Sequence, residues 1–81
     1  MKLYLLTQTA NVNYGTYDSM IVAAENLNEA KHIHPEGNLN WDGKTTDWES
    51  WCDIKYVECK LIAKNCIYKT KRIVLTSFNA G

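Results

Sequence analysis

Ile54-Lys55-Tyr56-Val57-Glu58-Cys59-Lys60-Leu61-Ile62-Ala63 alternates with a period of two: Val57, Cys59, Leu61 and Ala63 fall to one side, Glu58 and Lys60 to the other. Successive side chains of an extended chain point to opposite faces, so this pattern predicts a strand with one buried and one wet face. On its C-terminal side, Lys64 to Lys71 reads as a polar turn interrupted by Cys66-Ile67-Tyr68. Arg72-Ile73-Val74-Leu75-Thr76-Ser77-Phe78 then supplies a closing strand, rich in β-branched residues.

Towards the N-terminus the strand is preceded by a long polar stretch, residues 36–52, that carries Trp41, Trp48 and Trp51. Loops of this length in a compact domain tend to be functional or to hide an element. Thr46 and Glu49 have the spacing of a capping box, which predicts a short helical turn over 47–52. Before this stretch stands a helix. Asn26 can cap it with Glu29 three residues on, Leu27, Ala30 and Ile33 form a narrow apolar stripe, and Pro35 stops it. At about two turns it is too short to stand alone and must dock on a sheet. Leu3-Tyr4-Leu5-Leu6 and Tyr17 to Ala24 are apolar runs separated by Asn11-Val12-Asn13-Tyr14-Gly15-Thr16, whose Asn and Gly suit a turn. The order β-β-α-β-β predicts an α+β fold: an antiparallel sheet of about four strands, one short helix on one face, and a long Trp-rich loop. Residues 1–81 read as a single domain.

The 81 residues suffice to bury roughly 60–65% of the surface that the unfolded chain exposes. Hydrophobic residues at 46% and charged residues at 22% exclude a disordered polyelectrolyte. No window approaches the ~18 apolar residues of a membrane-spanning helix, and the opening Met1-Lys2-Leu3-Tyr4-Leu5-Leu6-Thr7-Gln8 lacks the features of a secretion signal. No membrane association is expected.

The net charge of zero conceals a split. Residues 1–54 hold three lysines against eight carboxylates, whereas residues 55–81 hold five lysines and one arginine against Glu58. Either the halves pair internally or the molecule has an acidic and a basic side. The basic cluster Lys64, Lys69, Lys71 and Arg72, with Tyr68 among them, is a candidate anion-binding turn. Without an overall basic footprint, direct nucleic-acid binding is not expected.

Catalytic and metal chemistry find little support. Cys52, Cys59 and Cys66 form no C-x-x-C pair, and an odd count without a secretion signal fits reduced thiols in a cytosol. His32 and His34 are two apart, so on a helix they do not share a face. Asp42, Asp47 and Glu49 lack calcium-loop spacing, and the four glycines form no phosphate loop. No cofactor, metal or enzymatic activity is expected. The tryptophans are the informative feature. Indoles in a loop otherwise full of Asp, Asn, Thr and Gly either roof the sheet or anchor a partner, since Trp is enriched at interface hot spots. The candidate partner-binding set is Trp41, Trp48 and Trp51, with Asp42, Asp47 and Glu49 as an acidic rim. Exposed edges at Leu3–Leu6 or Arg72–Phe78 leave a homodimer open.

The opening MKLYLLTQ, Tyr17-Asp18-Ser19, Glu29-Ala30, Ile33-His34-Pro35 and the ending Ser77-Phe78-Asn79-Ala80-Gly81 resemble a set of short, functionally uncharacterised proteins of tailed bacteriophages and prophages. The matching phrases span nearly the whole chain, with 36–52 and 64–71 differing. The resemblance carries no catalytic residues. It implies a bacterial host cytoplasm and a non-enzymatic accessory protein that binds a host bacterial protein, such as a component of a defence system that it inhibits. The alternative from the residues themselves is a binder of an anionic small molecule or nucleotide through 64–72.

Overall fold

A computed structural model describes residues 1–44 and 50–79. Strands β1 (Lys2–Thr7), β2 (Thr16–Ala24), β3 (Glu58–Ala63) and β4 (Arg72–Asn79) form one antiparallel sheet in the order β3-β1-β2-β4, with helix α1 (Leu27–Lys31) between β2 and β3 in sequence. The α+β architecture expected from the sequence is therefore the one observed. Leu3–Leu6, read above as a candidate edge, belongs to an inner strand: β1 is paired on both sides, and the edges are β3 and β4.

Register assigns each residue to a face. Tyr4 pairs with Val22 and Leu6 with Met20, and all four are buried on the side that α1 covers. Leu5 pairs with Ile21 and Leu3 with Ala23 on the opposite side. The helix-side core continues through Ala24, Ala30, Ile33, Trp41, Trp51, Cys52 and Val57. Helix α1 is only five residues long, and its start follows the chemistry of its cap. The Glu29 backbone N–H donates to Asn26 Oδ1 at 2.8 Å, and Glu29 Oε1 accepts from the Glu25 N–H at 3.1 Å, one residue before the cap. Ala30 and Ile33 are buried as expected, but Leu27 is exposed, so the helix offers the sheet less than the full stripe.

The strand predicted over 54–63 begins later. Ile54–Tyr56 form a 3₁₀ turn, anchored where the Ile54 N–H donates to the Gly43 carbonyl at 2.9 Å. Gly43 has φ +89° and lies against Ile54; a Cβ there would meet Ile54 Cγ2 at 2.9 Å, so glycine is required for both reasons. Within β3 the expected facing holds for Cys59 and Leu61, which pair with Leu6 and Tyr4. It fails at Ala63, because Ile62 is an extra residue and Ala63 pairs with Leu3 on the opposite face. Leu61 is also exposed, since an edge strand is flanked on one side only.

Buried polar groups fix the β1–β2 loop. Gln8 Nε2 donates to the Asn11 and Tyr17 carbonyls, each at 2.7 Å, and its Oε1 accepts from the Asn11 N–H at 2.7 Å. Asn11 Nδ2 donates in turn to the Trp51 carbonyl at 2.9 Å. The Tyr17 N–H donates to the Ser50 carbonyl at 2.9 Å, so the far end of the Trp-bearing loop is tied to the hairpin.

Adjacent leucines should therefore respond differently to truncation. Leu6→Ala is expected to cost about 3 kcal/mol in urea unfolding, in the range for a fully buried leucine. Leu5→Ala, on the uncovered face, should cost less than about half of that, and Asn26→Ala about 1 kcal/mol through loss of the cap.

Candidate interaction surface

The helix and the loop after it cover one face of the sheet; the register shows what the other face presents. Leu3 and Leu5 of β1, Ile21 of β2 and Leu75 of β4 point to that side, with Thr7, Ser19 and Ser77 beside them, whereas Ala23, which points the same way, is fully buried. Leu5, Ile21 and Leu75 lie in one line across three strands, because Leu5 pairs with Ile21 and Ile21 with Leu75. Leu75 is 63% exposed. Between them is a shallow depression of about 80 Å³, walled also by Ser19 and Ser77. That is well under the roughly 300 Å³ of a small-molecule site, so the face suits flat contact better than ligand enclosure. An apolar centre bordered by hydroxyls is the arrangement of an interface core and rim.

The tryptophan loop is placed differently from the expectation. Trp41 is 6% exposed and Trp51 fully buried, both within the core, so the reading of these two indoles as partner anchors is corrected. The physical reason is the shortness of α1: a five-residue helix cannot roof four strands, and two indoles supply the missing apolar cover. Trp41 Nε1 donates to the Lys44 carbonyl at 2.9 Å, and its ring meets His34 edge-on with centroids 5.3 Å apart. Trp51 Nε1 has no hydrogen-bond partner among the described residues, a deficit of about 1–3 kcal/mol that its burial must offset. Of the acidic rim, Asp42 is exposed and its Oδ1 accepts from the Lys44 N–H at 3.0 Å. Asp47, Trp48 and Glu49 lie outside the described residues, as does most of the helical turn expected over 47–52; residues 50–52 are not helical.

The basic turn is partly engaged within the chain. The Arg72 guanidinium lies over the Tyr68 ring at 4.7 Å, Lys71 Nζ donates to Asn40 Oδ1 at 2.8 Å, and Lys64 and Lys69 are exposed. Two of the cationic groups are thus occupied within the chain.

The histidines serve the loop after α1. His32 Nδ1 is 2.7 Å from the Asn28 carbonyl, to which it donates, and His34 Nδ1 accepts from the Glu36 N–H at 3.1 Å. Burial holds the His34 imidazole below its ordinary range, against the opposing pull of the Glu36 carboxylate. Burial also pushes the Cys52 thiol up to about 11, with the Asp53 carboxylate adding to the rise. Cys59 is raised by burial despite Lys31. A raised thiol is a poor nucleophile at neutral pH. Among the described residues, no group of three or more His, Cys, Asp or Glu is placed to hold a metal ion, and no helix is long and apolar enough to cross a membrane.

The sequence reading passed over Leu5, Ile21 and Leu75. Their signal was present in the runs Leu3–Leu6 and Met20–Ala24, which are apolar at consecutive positions and so apolar on both faces of the sheet. The chain matches no protein-family model, no curated protein and no solved structure.

Two pH dependences follow from burial. His34 takes up its proton at lower pH in the folded chain than in the unfolded one, whose imidazole titrates near 6.5. Stability is then fully present above that value and falls as the pH drops through the folded value. Cys52 loses its proton at higher pH when folded, so its contribution is full below about 9 and is lost as the pH rises towards about 11. Thermal midpoints followed across pH should show both losses, the acid one reduced in His34→Gln and the alkaline one in Cys52→Ala.

Proposed function

We propose that this chain is a non-enzymatic accessory protein that binds a host bacterial protein through the uncovered face of its sheet. One observation supports the reading most: the line Leu5–Ile21–Leu75 crosses three strands on the side opposite the helix, and Leu75 is exposed at its end. Leu5 and Ile21 are half-buried and Leu75 is wet. A monomer gains nothing by leaving Leu75 exposed, and burying the line against a flat protein surface would return about 25 cal/mol per Å² of apolar area. The shallow depression favours a macromolecule over a small ligand. The phage origin, the host cytoplasm and the inhibition of a defence component rest on the phrase resemblance alone. The other reading, anion binding through residues 64–72, has less in its favour because Lys71 and Arg72 are already engaged by Asn40 and Tyr68.

The test is capture of host proteins on immobilised chain, followed by reconstitution of the complex with the purified captured protein. The native chain and Asp42→Lys should form it equally, and Leu75→Glu should weaken it at least about tenfold, as expected for a charge set into an interface core. A complex that ignores Leu75→Glu would remove the sheet face from the reading. Stabilisation by a nucleotide panel, lost with Lys69→Ala, would favour the anion reading instead.

A further inference from the structure

We propose that β3 is a self-pairing edge: two copies of this chain join their β3 strands antiparallel about a two-fold axis at Cys59, making one sheet of eight strands. This goes beyond the docking face above and does not depend on it. Strand β3 pairs with β1 on one side only, so its outward N–H and C=O groups have no strand partner among the described residues. An open edge of this kind is a template for another strand.

Three observations select a second copy and fix its register. The first is length. The strand pairs regularly over Glu58 to Leu61 before the extra residue Ile62, and Val57, the extended residue that caps the 3₁₀ turn, lengthens the run to five residues with Cys59 at the midpoint. The second is charge. Glu58 pairs with Thr7 and Lys60 with Leu5, so both side chains stand on the uncovered face, exposed and in no ion pair among the described residues. A two-fold axis at Cys59 sets Glu58 opposite Lys60 of the second copy, and Lys60 opposite its Glu58. An axis at Glu58 or Lys60 would oppose like charges, which destabilises cross-strand pairs. The third is apolar fit. On the helix side the same register sets Leu61, 40% exposed in the single chain, opposite the buried Val57 of the second copy. The other edge, β4, carries no charge between Ile73 and Phe78 that could set a register.

Light scattering on the full-length native chain should give a mass of twice 9.3 kDa at high concentration, with dimer declining as salt is raised. Glu58→Lys and Lys60→Glu should each weaken dimerisation by roughly tenfold, since two pairs turn repulsive, and the double variant should recover it. Opposed α-carbons in an antiparallel pair lie about 4.5–5.5 Å apart, within disulfide range. Oxidation by copper-phenanthroline should therefore crosslink native chain and Cys66→Ser but not Cys59→Ser. A monomer at every concentration, a crosslink independent of Cys59, or a double charge swap that fails to recover the dimer while remaining folded would each overturn the proposal.

Discussion

Trp51 is the constraint on which the rest of this structure depends. A four-stranded sheet needs a cover across its whole width, and the only α-helix among the described residues is five residues long. The indole fills that deficit by lying in one buried cluster with Leu6, Met20 and Val22, and its carbonyl receives the Asn11 side chain that closes the first hairpin. Apolar cover and loop closure thus come from a single residue. Among the described residues its indole N–H finds no partner, a cost that large apolar burial can absorb.

Much of the fold is readable from local chemistry. The Asn26 cap, the Asn- and Gly-bearing turn and the period-two pattern around Cys59 each act through neighbours a few residues away, and each is seen where that chemistry puts it; the helix, expected to run on to the Pro35 stop, ends already at Lys31. What escaped was non-local. Whether Leu3–Leu6 lies at an edge or inside the sheet depends on where β3 returns after the long excursion through α1 and the tryptophan loop. The bulge at Ile62, which turns Ala63 to the other face, arises in pairing with Leu3 and Tyr4, and its only mark in the alternation is an apolar residue at 62 where Glu58 and Lys60 lead to a polar one.

The candidate surface was legible only indirectly. Trp41 and Trp51 drew attention because they are large rings among polar neighbours, yet the same size made them the best available roof. Leu5, Ile21 and Leu75 come from three separated segments and form a line only through register. A run that is apolar at every position does indicate two apolar faces. It does not say which face the helix will take. That choice follows the even-numbered positions Tyr4, Leu6, Met20 and Val22, against which the indoles pack.

The strand order carries a kinetic consequence. The first strand of the chain ends up inside the sheet, with β2 on one side and β3 on the other. Its hairpin with β2 can close early, because the partners are near in sequence. The opposite flank of β1 must then wait while about fifty residues pass between Thr7 and its mate Glu58. During that interval Tyr4 and Leu6 hold a half-built sheet whose inner flank is bare, and the nascent chain is most prone to pair with the wrong strand.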